Sequence, residues 1–155
     1  MPAIEAGQTV PAFSLPSDKG TSLGPADFAG RKLVLYFYPK DDTSGCTLEA
    51  IEFTARAADF DAADTAVLGI SRDSVKSHCK FRDKHSLGIP LLSDENGTVT
   101  EACGVWVEKS MYGRKYMGIE RATFLVGPQG TVARVWRNVK VPGHVEEVLA
   151  AAREI

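Results

Sequence analysis

Cys46 stands in the stretch "YPKDDTSGCTLEA", residues 38–50, and its surroundings favour a reactive thiolate. Upstream, "KLVLYFY" (32–38) is a continuous apolar run, the pattern of a strand buried on both faces. Downstream, Leu48, Ile51, Ala55 and Ala58 recur at helical spacing, so a helix is expected from Cys46 to Phe60. A thiol between a strand's carboxyl end and a helix's first turn lies where ligands collect in α/β sheets. Unpaired helix N–H groups and the positive end of the helix dipole there favour an anion. Such places lower a thiol pKa from about 8.5 into the range of roughly 3.5 to 7.5, and the thiolate is the nucleophile. Gly45 allows close approach to whatever the sulfur attacks. Pro39 ends the strand and can shield the sulfur from water. Thr43, three residues before the thiol, offers a hydroxyl to the sulfur or to a bound oxygen. The competing reading is a buried cysteine in a strand–helix corner, with Thr43 or Ser44 acting only as a helix cap.

The elements that must position this thiol follow from the rest of the chain. Residues 11–30, rich in Gly, Pro, Ser and Asp, read as turns with short strands and one helical turn. "TAVLGIS" (65–71) is a second buried strand, and 73–86 a polar helix opened by Asp73 or Ser74. "IPLLSD" is short and ends in a turn, and "GTVTEACGVW" begins a short helix. "RATFLVGPQGTVARVW" (121–136) is two strands around a turn, and "HVEEVLAAAREI" is a final amphipathic helix. Alternating strands and helices followed by a hairpin and a helix imply an α/β fold with a mixed sheet flanked by helices. The crossover from strand 32–38 to strand 65–71 should be parallel.

Bulk properties narrow the function classes. The chain has 155 residues, 44% hydrophobic and 25% charged, the balance of one ordinary globular domain spanning 1–155. Eighteen basic against twenty acidic residues give a net charge of -2, which excludes a basic nucleic-acid footprint and gives no reason for a membrane partner. "MPAIEAGQTV" has acid where a signal peptide needs base, so a cytoplasmic location is expected. Three cysteines, Cys46, Cys79 and Cys103, are no disulfide scaffold.

The spacing of Pro39, Thr43 and Cys46, P-x-x-x-T-x-x-C, resembles the active-site signature of the peroxiredoxins. With "YFYPKD", "GCTLEA", "GISRDSVKSH" and "MYGRKYMGIERATFL", the chain is similar over nearly its whole length to the bacterioferritin comigratory protein, or peroxiredoxin Q, branch. The resemblance implies a thioredoxin-like fold with an N-terminal extension. It implies reduction of hydrogen peroxide and organic hydroperoxides without metal, haem or other cofactor. It makes Cys46 the peroxidatic cysteine, Thr43 the group that binds the peroxide oxygens, Pro39 the shield and Arg121 the support of the thiolate and transition state. It also implies a thioredoxin-like dithiol reductant and a monomer, with a dimer as the alternative. Glu49, three residues after Cys46, either pairs with Arg121 or is a solvated helix acid.

The chain departs from the family pattern at Ser44, where proline is frequent, and at Ile51, where many members carry a resolving cysteine. A sulfenic acid left unresolved climbs to irreversible states, so a second thiol is needed. Some members place it in the helix after "GISRDS", about a turn beyond Cys79 near Arg82, which makes Cys79 the expected resolving residue. Cys103, among small and apolar neighbours, reads as an inert buried thiol. His78, His85 and His144 lack the spacing of a zinc site. The alternatives are a one-cysteine peroxidase resolved by an external thiol, a thiol–disulfide exchanger, which the missing C-x-x-C disfavours, and a non-catalytic redox sensor.

Overall fold

A computed structural model describes residues 4–155. The N-terminal part forms a small antiparallel pair, β1 (Leu15–Pro16) and β2 (Ser22–Leu23), then a 3₁₀ turn over Pro25–Phe28, as its turn-rich composition implies. The order continues β3 (Lys32–Phe37), α1 (Ser44–Ala55), α2 (Ala57–Ala62), β4 (Thr65–Ser71), α3 (Val75–His85), β5 (Leu91–Ser93) and α4 (Thr98–Ala102). A hairpin of β6 (Trp106–Met111) and β7 (Arg114–Ile119) precedes β8 (Ala122–Val126), β9 (Val132–Trp136) and α5 (His144–Glu154).

The central sheet has the order β5-β4-β3-β8-β9. β3, β4 and β5 are parallel, while β8 runs antiparallel to both of its neighbours, β3 and β9, so the sheet is mixed as expected. Period-2 alternation in β3 divides the interior in two. Val34 and Tyr36, with Tyr38 just beyond the strand, pack with Phe53, Phe60, Phe81, Val148 and Leu149 from the helices. Leu33, Leu35 and Phe37 pack on the other face with Val99, Val105, Phe124 and the N-terminal Val10.

The helix expected from Cys46 to Phe60 is two helices with a break at Arg56, and it starts two residues earlier at Ser44. Its phase also differs from the simple apolar stripe. Leu48, Ile51, Ala55 and Ala58 all lie on the exposed side. The buried face carries Cys46, Glu49, Ala50 and Phe53. The 3.6-residue period identified the helix, but the aromatic ring of Phe53, stacked at 4.5 Å on Tyr36, sets which side faces inward. Ser74 caps α3 by accepting from the Ser77 N–H at 3.1 Å. The β6–β7 hairpin falls in a stretch for which the sequence pattern assigned only a short helix, now seen as α4, just ahead of it.

Tyr36 sits opposite Gly69 in the β3–β4 register. A Cβ at Gly69 would lie 2.7 Å from both the Tyr36 Cζ and hydroxyl oxygen. Glycine therefore gives the tyrosine ring its place over the sheet. Gly69→Ala should destabilise the fold by roughly 1–3 kcal/mol through overpacking. An unchanged urea midpoint would show that the ring relocates without cost.

Candidate active site

Cys46 is the third residue of α1, after the cap residue Thr43. The first backbone bond into the helix joins the Thr47 N–H to the Thr43 carbonyl at 2.8 Å. The N–H groups of residues 44–46 thus precede the helical ladder and open toward the loop. Thr43 does not cap the helix with its side chain. Its hydroxyl donates instead to the Lys40 carbonyl at 2.9 Å, which leaves the oxygen lone pairs free to accept. Thr43 is exposed and Pro39 half-buried, both in the loop that links β3 to Cys46.

Arg121 reaches this loop because β8 runs antiparallel to β3. Phe37, at the carboxyl end of β3, pairs with Ala122, the first residue of β8. Arg121 immediately precedes it. Its Nη2 donates to the Cys46 sulfur at 3.3 Å, and its Nη1 donates to Glu49 Oε1 at 2.7 Å. Cys46 is only 2% exposed, so the sulfur and the guanidinium meet largely out of water. A Cβ at Gly45 would fall 3.2 Å from Arg121 Nη2, tighter than an ordinary contact, so the glycine gives the guanidinium its close approach. Glu49 is therefore Arg121's partner and not a solvated helix acid.

The remaining expected residues lie elsewhere. Cys79 is half-buried on α3 with its sulfur 3.6 Å from the Asp18 carbonyl, turned toward the β1–β2 turn. The same carbonyl accepts from Arg82 Nη1. All three cysteines are free thiols. Cys103 is buried, and burial pushes its thiol up to about 12, which suits an inert core residue. His144 opens α5 and bonds Thr123 at 2.8 Å, while burial lowers its pKa to about 4. An apolar cavity of about 370 Å³, lined by Phe13, Phe28, Leu33 and Val126, lies at the opposite end of β3 from Cys46.

Sequence reasoning missed a buried polar network beneath the loop. Tyr38 donates to Asp41 Oδ1 at 2.6 Å. Asp41 Oδ2 accepts from Ser77 at 2.8 Å and lies 2.7 Å from His78 Nδ1. The Asp41 N–H donates to Asp73, which also accepts from Ser71. His78 Nε2 lies 2.9 Å from the Leu92 carbonyl, so that nitrogen carries a proton. Asp41, Asp73 and His78 come close enough to hold a cation, yet hydrogen bonds within the chain already engage them. Asp42 adds a second tie to α3, at 2.7 Å to Lys84 and 3.0 Å to His85. The alternation of acids and hydroxyls in "KDDTS" and "SRDSVKSH" was the available signal, but nothing local joins the two stretches.

Glu49 Oε2 has no hydrogen-bond partner among the described residues. Burial of this carboxyl pushes its pKa up to about 7 against the pull of Arg121. The folded chain then binds a proton that the unfolded chain, at about 4.5, releases. Glu49's contribution to stability is therefore full below 4.5 and falls as pH rises toward 7. Relative to Glu49→Gln, the unmodified chain should gain up to about 3 kcal/mol on going from alkaline to acid conditions through that window. A difference in urea midpoints that stays constant with pH would show that Arg121 keeps Glu49 ionised throughout.

The comparisons with known proteins agree with this geometry. A family model described as the AhpC/TSA family matches residues 6–135. A bcp peroxiredoxin of Coxiella burnetii is 51% identical over 147 residues, covering 95% of this chain and 97% of its own length. Peroxiredoxin Bcp of Bacillus subtilis is 43% identical over 152 residues, covering 98% of this chain and 97% of its own. Among solved structures, the Xanthomonas campestris bacterioferritin comigratory protein, studied for its alkyl peroxide reduction activity, gives a TM-score of 0.90 at 45% identity. It covers 97% of this chain and 98% of its own. These matches span the sheet, the Cys46 loop and the Arg121 strand, and on them the chain belongs to the AhpC/TSA family, in its bacterioferritin comigratory protein or peroxiredoxin Q branch of thiol peroxidases, which are oxidoreductases.

Proposed function

We propose that the chain, as one domain over residues 1–155, reduces hydrogen peroxide and organic hydroperoxides at Cys46. The observation that carries this reading is the Arg121 guanidinium, donating to the buried Cys46 sulfur while Glu49 holds its other arm. In the first step the Cys46 thiolate attacks the terminal oxygen of R–O–O–H. The S–O bond forms as the O–O bond breaks, and the electron pair leaves on RO⁻. Thr43, its hydroxyl donating to the Lys40 backbone carbonyl, accepts the peroxide O–H and so turns the terminal oxygen toward the sulfur. Arg121 and the N–H groups at the start of α1 stabilise the charge that builds as the O–O bond stretches. Pro39 limits water on the open side.

In the second step the Cys79 thiol attacks the sulfenic acid on Cys46, forms a disulfide and releases water. A dithiol of the thioredoxin type reduces that disulfide and restores both thiols. Disulfide geometry brings the two Cα atoms to within about 7 Å. Cys79 now faces Asp18 and Cys46 faces Arg121, so both sulfurs leave their partners for the bond to form. Release of α3 breaks its ties to Asp41 and Asp42 as well, which couples its unwinding to movement of the Cys46 loop. The orientation of Cys79 toward Asp18 also favours a second reading, in which an external thiol resolves Cys46. Among the described residues no helix is long and apolar enough to cross a membrane. We place the enzyme in the cytoplasm as a monomer, on the acid at the start of the chain and three cysteines that form no disulfide scaffold in the sequence.

Cys46→Ser should abolish peroxide turnover with thioredoxin, and Cys103→Ser should leave it intact. Mass spectrometry after one equivalent of peroxide should find Cys46 joined to Cys79. A Cys46–Cys103 link would assign the wrong thiol, and full turnover by Cys79→Ser would favour the external resolver. Arg121→Met should slow the peroxide-attacking step by about 10²–10³, the cost of one preorganised donor at the reacting centre. A large loss of stability with an unchanged single-turnover rate would instead make Arg121 structural.

A further inference from the structure

Cys79 cannot reach Cys46 without taking its neighbours along. His78, the residue before it on α3, is fully buried. Its ring is held at both nitrogens. Nε2 lies 2.9 Å from the Leu92 carbonyl on β5, and Nδ1 lies 2.7 Å from Asp41 Oδ2 in the loop that leads to Cys46. Asp41 Oδ2 also accepts from the Ser77 hydroxyl at 2.8 Å, and Oδ1 accepts from Tyr38 at 2.6 Å. Two of these three partners of the carboxylate come from α3, and the third lies just past the end of β3. The Asp41 N–H donates to Asp73 at 2.9 Å. Asp42 then takes a φ of 60°, a left-handed turn tied to Lys84 and His85, and Thr43 follows directly.

A disulfide to Cys46 requires α3 to turn Cys79 away from Asp18, and the start of α3 carries Ser77 and His78. If they left while the loop stayed in place, the buried Asp41 carboxylate would keep only Tyr38 as a side-chain partner among the described residues, an unfavourable state. Release of the loop into water together with α3 avoids it. Two arrangements are therefore favoured, with both elements seated or both released. Resting on the reading in which Cys79 resolves Cys46, we propose that the contact of Asp41 with Ser77 and His78 is the latch between them, and that its strength divides oxidised Cys46 between repair and damage. Seated, the latch holds Thr43 and the start of α1 in place for the first hydroperoxide and keeps Cys79 away. Until it opens, the sulfenic sulfur faces a second hydroperoxide. An S–O bond then forms as the O–O bond breaks, the alcohol or water leaves, and Cys46 becomes a sulfinic acid that the thiols of the cycle do not reverse. Asp41, Ser77 and His78 touch none of the reacting atoms and act by positioning.

Ser77→Ala tests the latch without disturbing the apolar core, because it removes one hydrogen bond to the carboxylate. After one equivalent of hydrogen peroxide, rapid quenching and mass spectrometry should show the Cys46–Cys79 disulfide forming about tenfold faster than in the unmodified chain, the effect of one hydrogen bond to a charged group. The peroxide concentration that drives Cys46 to the sulfinic acid should rise by the same factor. While the closed form predominates, the first step changes little. Asp41→Ala, which frees His78 as well, should speed the disulfide at least as much. Ser77→Thr, which keeps the hydroxyl, should restore the original rate. A merely structural role would lower the urea midpoint without speeding the disulfide. Unchanged or slower disulfide formation in either folded variant, or no restoration by threonine, would overturn the latch alone. Absence of any Cys46–Cys79 disulfide in the unmodified chain would instead overturn the resolving role of Cys79, and the latch with it.

Discussion

Arg121 holds a buried carboxylate with one nitrogen and a buried sulfur with another, and the local architecture is arranged so that it can do both. Neither contact forms within one stretch of chain; 72 residues separate Arg121 from Glu49, and 75 separate it from Cys46. The antiparallel seam of β3 and β8 closes that distance by setting Ala122 opposite Phe37. Without the reversal at β8, the arginine would emerge at the opposite end of the sheet. A buried ion pair is weak evidence for stability, since desolvation offsets most of its attraction. The unpartnered Glu49 oxygen shows that this pair is not fully satisfied. Its use is positional: it fixes one arm of the guanidinium so that the other points at sulfur.

Two different materials surround that pair. Beneath α1 lie aromatic rings, with Tyr36 stacked on Phe53 and also, at 5.7 Å, on Tyr38. All three rings are buried. Beside it, the loop of residues 39–43 rests on hydrogen bonds to α3 and to Asp73 just ahead of it. α3 itself buries only His78 and Phe81. Tight apolar packing thus holds the strand that ends at the loop, while a polar, separable contact holds the loop's outer side. The proposed cycle, closed for peroxide and open for a second thiol, draws on that asymmetry, because a polar seam re-forms its bonds with water when it parts.

The sequence by itself determined the local units. The apolar run 32–38, a thiol in the first turn of a helix, a helix cap at Asp73 or Ser74 and the parallel crossover were all legible, because each follows from local pattern. The set of motifs also identified the branch, and with it Arg121. Other features depended on distant partners. The β6–β7 hairpin was hidden because its strands are largely exposed on both faces, which erases the alternation that marks a strand. Its remaining signal is the Tyr112–Gly113 turn, with φ of 52° and 77°. Only the tertiary structure decided that Leu48, Ile51, Ala55 and Ala58 face water while Glu49 is buried, since a helix's period does not fix its rotation about its own axis. It likewise decided that Cys79 faces Asp18 and that the Lys109 stem lies along Gly118. Those are contacts between elements, set by strand direction and register, and no stretch of the chain read alone contains both partners.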